Sequence, residues 1–583
     1  MKELWNHLSS RRRKQFFMVL ILMFIASFAE IISVGAVIPF LGVLTNPDSI
    51  YQSAEIQPII EIFSIKKPSD LILPITLMFI LATIFAGIIR LTLLYAITRL
   101  SFASGHDLSI EVYRRSLYQG YSTHSTRNSS EVINGIVTKT STVISGVLNP
   151  ILILISSFFL LIGIISVLFV INIVVAMTTF IGFALLYSCV IYLTRIKIKN
   201  NSETIAIEST KVVKSLQEGL MGIRDVLIHG SQEFYLKLYR DADLPLRKSA
   251  GNNLFISGSP RFAMEAIGMI LIALVAYFMT QNQENDALGS SIPVLGALAL
   301  GAQRLLPIMQ QGYGSYSAIK GSWASLEDVL NLLNQKMPSY AYKAYPEAID
   351  FNNAISFESL GYRYSNQEPW VLRNIDLTLK KGSRVGFIGH TGSGKSTLFD
   401  IIMGLIYPSE GRMKIDGTVI NEDNVREWQA RIAHVPQDIY LSDNSIAENI
   451  AFGLSKDNID MERLKEASKR AQIDELIESW EHKYETFVGE HGIRLSGGQK
   501  QRIGIARALY KDADVLIFDE ATSALDNKTE RSVVESIEAL DGDLTILIIA
   551  HRLTTLKNCD KVIELDNKNI KVMSYEESVK GKL

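Results

Sequence analysis

Three short stretches of this chain carry residue types whose spacing suits phosphate chemistry. Gly389-His-Thr-Gly-Ser-Gly-Lys395-Ser396 is a G-x-x-x-x-G-K-S run lying between a strand-like segment, 384–388, and a helical one, 396–405. A glycine-rich turn in that setting aims backbone N–H groups at phosphate oxygens, Lys395 adds a point charge, and Ser396 offers a hydroxyl to Mg²⁺. Thr391, Gly392, Ser393, Gly394 and Thr397 complete the loop and the first turn behind it. Val515-Leu-Ile-Phe-Asp519-Glu520 is an apolar run that ends in two carboxylates. Of such a pair, one can hold Mg²⁺ while the other activates a water. Before it stands Leu495-Ser-Gly-Gly-Gln-Lys-Gln-Arg502, which reads as a helix start. Ser496 is placed to cap that helix, and Gly497 and Gly498 let its amides approach an anion, with Gln499 following.

These groups need rigid elements behind them. The apolar runs at 384–388, 515–518 and 544–549 are predicted as buried strands of an α/β sheet, each delivering its chemistry at the C-terminal edge. The chain of 583 residues has room for more than one domain, and its two parts differ in character. Residues up to about 320 are dominated by long apolar runs, and the rest has soluble α/β composition, so the mean hydropathy of +0.18 averages two kinds of chain. We assign 1–325 to a six-helix transmembrane domain, 326–350 to a linker and 351–583 to the domain that carries the phosphate-binding stretches. The 58 Lys and Arg against 60 Asp and Glu leave no field that would favour nucleic acid. Two cysteines give neither a disulfide framework nor zinc spacing. Arg11-Arg-Arg-Lys14 leads into an apolar run too long for the core of a cleavable signal.

In this order the three stretches resemble the nucleotide-binding domain of an ABC ATPase. The resemblance implies ATP and Mg²⁺ as cofactors and extends to further positions. Tyr364 in Gly361-Tyr-Arg-Tyr364 matches the tyrosine that stacks on adenine. Gln437 matches the glutamine that senses Mg²⁺, Asp526 in Ser523-Ala-Leu-Asp526 the D-loop, and His551 the switch histidine near the γ-phosphate. It makes Glu520 the general base and Asp519 a Mg²⁺ ligand, with Ser396 and Gln437 completing the metal's surroundings. Ser496 to Gln499 would act in trans on ATP held by a second subunit. One ATPase domain and one set of six helices, with no motif degenerate, imply a homodimer. Thr486-Phe-Val-Gly-Glu490-His-Gly492 is similar to the loop that exporter-type ABC proteins set against their membrane domain.

A helix needs roughly 20 apolar residues to span a bilayer. Six candidates lie near 15–44, 71–98, 143–168, 170–194, 259–280 and 292–318. Lys and Arg concentrate before the first span and in 99–140 and 195–258, which places both termini, the two long connections and hence the ATPase domain on the cytoplasmic side; the resemblance implies a bacterial inner membrane. Those two connections are expected to continue the membrane helices. In the first external connection Ile56, Ile59, Ile60 and Phe63 fall at i, i+3, i+4, i+7. This is either an amphipathic helix on the outer surface or a loop packed over helix ends.

Ionisable groups at bilayer depth cost roughly 2.5–3.5 kcal/mol each. Arg90, Arg261 and Arg304 are the candidates to grip an anionic headgroup, since guanidinium forks suit phosphate. The alternative is ion pairing, as of Glu30 with Arg90 or of Arg261 with Glu265. Phe28-Ala-Glu30, Ile38-Pro-Phe40, Pro260-Arg261, Glu265-Ala-Ile-Gly268 and Arg304-Leu-Leu-Pro307 resemble words of PglK-type lipid-linked oligosaccharide flippases. Where that family carries a further arginine, this chain has Gln310-Gln311. The resemblance implies a membrane lipid-linked glycan as substrate. An exporter of peptides or amphipathic drugs is the other reading.

Overall fold

A computed structural model describes residues 1–45, 47–53, 57–62, 65–171, 173–281, 288–344, 346–519, 544–550, 553–566 and 568–580. The chain divides into two compact units, residues 1–119 with 127–336, and residues 120–126 with 337–583. The short helix Tyr121–Thr126 thus groups with the second unit although the chain on both sides of it belongs to the first.

The first unit is helical, as its apolar composition requires: a backbone in lipid must satisfy its own N–H and C=O groups. Its principal elements are α1 (Ser10–Gly35), α2 (Ile72–Leu117), α3 (Asn149–Ile171), α4 (Ile173–Met221), α5 (Gln232–Gly258), α6 (Pro260–Gln281), α7 (Leu288–Gly321) and α8 (Trp323–Leu333). Among the described residues, four runs (10–45, 68–117, 129–169 and 180–221) are long and apolar enough to cross a membrane. Many side chains of α6 and α7, where the last two spans are expected, lie outside the described residues. With 46 and 49 residues, α2 and α4 are each roughly 70 Å long at 1.5 Å per residue, about twice a bilayer's hydrocarbon thickness. The polar connections after the second and fourth spans therefore begin as continuations of membrane helices, as their patterning implied.

Small and paired polar residues lock these helices together. The Arg12 guanidinium donates to both Asp107 oxygens, at 2.8 and 3.2 Å, joining α1 to α2. Ser27 donates to the Phe159 carbonyl of α3 at 2.8 Å. The helical run leading into α3 contains two π-turns, Gly135–Lys139 and Ile144–Leu148. Each inserts a residue into the usual hydrogen-bond ladder and shifts the helix face. Beside them Lys139 reaches Asp328 of α8 at 2.6 Å, and a Cβ on Gly146 would meet Ser322 Oγ at 2.1 Å. Arg115 donates to the carbonyls of Leu333 and Gln335, satisfying the open C-terminus of α8.

In the first external connection, helix Gln57–Ile62 buries Ile60 among Val43, Ile65, Leu71 and Ile75. The segment is helical, as one of the two readings has it, and it buries Ile60 against the neighbouring elements, as the other does. Ile56 and Phe63 lie outside the described residues.

The second unit holds two sheets. Strands β1 (Ala354–Tyr362), β2 (Leu372–Lys380), β4 (Glu410–Ile415) and β5 (Thr418–Val419) form an antiparallel sheet ordered β2-β1-β4-β5. Strands β3 (Arg384–Ile388), β6 (Ile432–Val435), β7 (Val515–Asp519), β8 (Thr545–Ile549), β9 (Lys561–Asp566) and β10 (Asn569–Met573) form the second sheet, ordered β10-β9-β3-β8-β7-β6. All its pairings are parallel except β9 with β10. A parallel sheet must be covered on both faces. Alternate residues of β7 show this: Val515 and Ile517 enter a core with α9 (Lys395–Ile402), whereas Leu516 and Phe518 enter one with α10 (Gly497–Tyr510).

The close approach at Gly146 sets a test. Gly146→Leu should destabilise the full-length protein by about 1–3 kcal/mol through overpacking, with Gly146→Ala milder. Thermal unfolding in one detergent would read the difference, and an unchanged midpoint for leucine would show that α8 yields freely.

Candidate functional site

The glycine-rich loop leaves the C-terminal end of β3, a strand flanked by β9 and β8 and buried in the sheet. Its shape depends on glycine. Gly392 and Gly394 have φ of 83° and 97°, and a Cβ on Gly389 would lie 2.5 Å from the Leu565 carbonyl oxygen. Lys395, almost fully buried, donates from Nζ to the carbonyls of Gly389 (2.9 Å) and His390 (3.1 Å), so its charge is held inside the loop. Ser393 Oγ is buried with no hydrogen-bond partner in the protein. An unpartnered buried hydroxyl beside a buried ammonium fits an anionic oxygen ligand, so the loop suits a phosphate. Ser396 and Thr397 begin α9, and the hydroxyls of Thr397 and Tyr364 lie 3.3 Å apart. Tyr364 is well exposed, so its ring is tethered near the loop with a face available for a base.

Asp519 ends β7, half-buried. One residue that motif reasoning missed faces it. Asp400 of α9 has its carboxyl pushed up to about 6 by burial and by the charge of Asp519. Two carboxylates whose charges act on each other suit a divalent cation between them. Sequence carried no signal for Asp400, because only the packing of α9 on β7 brings the two together.

Gln437 is exposed in the loop after β6. Ser496 caps α10 as its type implied: its Oγ accepts from the Gln499 amide at 3.3 Å, and Gln499 Oε1 accepts from the Ser496 amide at 2.8 Å. Gly497 and Gly498 form the first turn. A second missed residue ties this helix to the glutamine loop. The Arg507 guanidinium donates to the carbonyls of Asn449 (2.8 Å) and Tyr440 (3.0 Å) and lies 4.8 Å over the Phe452 ring. Glu520, Asp526 and His551 lie outside the described residues.

In the membrane unit, Arg90 lies 3.6 Å from the buried Glu30, joining α2 to α1. Arg261 donates to Glu265 at 2.8 Å, one turn along α6, and both are exposed. Arg304 lies on α7, but its side chain is outside the described residues. The loop with its strand and Asp519 is assembled in one unit, whereas nothing among the described contacts brings the three arginines together.

Comparison with known proteins defines the class. The ABC transporter family model matches residues 372–523, and the model of the ABC transporter transmembrane region matches residues 16–292. The chain belongs to the ABC transporter family, and in it a helical transmembrane domain precedes the α/β ATPase domain. This family couples ATP hydrolysis to transport. Its relatives include proteins named ATP-dependent lipid A-core flippase. One from Chromohalobacter salexigens is 30% identical over 472 residues, 80% of this chain and 79% of that protein. One from Alkalilimnicola ehrlichii is 32% identical over 353 residues, 60% of this chain; the match spans only 59% of that protein's length. A solved structure, of a bacterial Atm1-family ABC exporter with ATP bound, shares the fold at a TM-score of 0.78. It is 22% identical, and the match covers 98% of this chain and 96% of that one.

Arg507 supplies this site's test. Arg507→Ala should lower stability by about 2–4 kcal/mol, through two lost hydrogen bonds and lost stacking on Phe452. Arg507→Lys should recover less than half, since an ammonium cannot span both carbonyls. Chemical denaturation of the full chain would measure both, and equal stability of the lysine variant and the parent would remove the fork from the account.

Proposed function

We propose that the chain works as a homodimer in the bacterial cytoplasmic membrane, using ATP hydrolysis to flip a glycolipid from one leaflet to the other. The domains are 1–325 for the membrane half, 326–350 for the linker and 351–583 for the ATPase. Within the class, the finer substrate is a polyprenyl-pyrophosphate-linked oligosaccharide or a related glycolipid. Two lines support the glycolipid: the names of the relatives, and the sequence words shared with oligosaccharide flippases. The observation that carries an anionic headgroup is the state of Arg90. Its charge at membrane depth is tolerated beside Glu30, yet the guanidinium stays half-exposed and touches that carboxylate only at 3.6 Å. A fork in that state keeps donors for a phosphate.

In the ATPase half, Lys395, Ser393 and the loop amides bind the phosphates, Tyr364 seats the base, and Ser396, Gln437 and Asp519 hold Mg²⁺. When bound, the metal neutralises charge on the phosphates. Glu520 polarises the attacking water, His551 stands at the γ-phosphate, and Ser496 to Gln499 with Asp526 close the site of the other protomer. Positioning and charge stabilisation carry most of such a reaction, so the set matters more than one member.

Two experiments test this reading. Glu520→Gln should leave ATP binding intact and reduce turnover at least tenfold, because the water loses its base while Lys395 and Ser396 remain. Hydrolysis above a tenth of the parent rate would take Glu520 out of that role. For the cargo, Arg90→Ala should destabilise the protein, by about 3–5 kcal/mol at most, because the buried Glu30 loses the guanidinium beside it. Adding Glu30→Gln should restore stability and ATPase activity but not transport of a lipid-linked glycan in proteoliposomes. A stable double variant that flips at the parent rate would end the headgroup role and favour the peptide or drug exporter.

A further inference from the structure

Between α1 and α2 lies a groove of about 640 Å³, lined by Arg12, Gln15, Met18, Leu22, Arg99 and Phe102 among others. It sits where both helices change from basic to apolar: Arg11-Arg-Arg-Lys14 precedes the first span, and Arg99 follows the second. Its two guanidinium groups are not equivalent. Arg12 is matched by Asp107 through two hydrogen bonds. Arg99 is exposed at the groove and makes no ion pair among the described residues. Gln15 turns its carbonyl to Arg12 at 2.9 Å, which leaves its amide N–H groups for an acceptor. The remaining wall, from Met18 and Leu22 on α1 to Phe102 on α2, is apolar.

We propose that this groove is a binding site for an anionic phospholipid of the membrane, distinct from the transported substrate. One unmatched guanidinium at the mouth meets one phosphodiester charge, and the apolar wall takes the upper acyl chain. A cation at the level where hydrophobic spans end is where lipid phosphates lie, so the charge needs no burial to act. The fixed Arg12–Asp107 pair keeps the two helices at one spacing, so the groove exists before the lipid arrives. The site stands independently of which glycolipid is flipped.

Native mass spectrometry of the full-length protein, exchanged into phosphatidylglycerol or phosphatidylcholine, tests the proposal. The parent should retain phosphatidylglycerol in preference to phosphatidylcholine. Arg99→Ala should weaken that retention about fivefold, the effect of one basic residue at a membrane surface. Arg99→Lys should keep most of it, and Lys197→Ala, outside the groove, should change nothing. Met18→Trp, which fills the apolar part and leaves every charge in place, should also displace the lipid. Equal retention of both lipids, or equal behaviour of Arg99→Ala and Lys197→Ala, would overturn the site. Displacement of phosphatidylglycerol by inorganic phosphate at equal concentration would mark a free-anion site and equally overturn the lipid.

Discussion

The phosphate loop follows a backbone path that side chains cannot share, and the ATPase half depends on that path. Gly392 and Gly394 sit in the left-handed region, and Gly389 passes so near the Leu565 carbonyl that a Cβ would be only 2.5 Å from it. Such a loop is floppy unless its ends are fixed. β3 fixes one end, because its amides pair with strands on both sides, and α9 fixes the other by burying Leu398, Ile401 and Ile402. The parallel sheet is in turn stable only because α9 covers one face and α10 the other. The chemistry of the loop and the position of α10 thus follow from one packing problem.

That coupling explains what sequence alone could and could not reveal. The loop, Asp519 and the Ser496 cap were legible because each depends on residues a few positions apart. Strand β3 is found where the apolar run placed it, and α9 is shorter than its pattern because Gly404, at φ 66°, ends it. Asp400 and Arg507 were not legible. Their roles arise across 119 and 67 residues of chain, from Asp400 to Asp519 and from Tyr440 to Arg507, and no periodicity encodes such meetings. The two π-turns before α3 escaped for a related reason: hydrophobic spacing there still reads as helix, and only the backbone hydrogen bonds show the extra residue.

The membrane half obeys a different rule. Six apolar runs were visible because a bilayer imposes length and composition on every span. Partner choice was less visible. Arg261 and Glu265 met as their four-residue spacing implied, since a single helix face brings them together. Arg90 finds Glu30 from another helix, and sequence could only offer that pair beside a substrate role.

Those two roles are not rivals in physical terms. A buried Glu30 with no cation would be costly, and a lone Arg90 in lipid would be costly too, so each makes the other tolerable. The pair approaches to 3.6 Å, longer than the 2.8 Å between Arg12 and Asp107. A bidentate pair has spent its geometry on fixing two helices. A loose one still joins α1 to α2 while its cation keeps donors to offer. The close pair fixes α1 against α2 near their basic ends, and the looser one joins the same two helices within the apolar part.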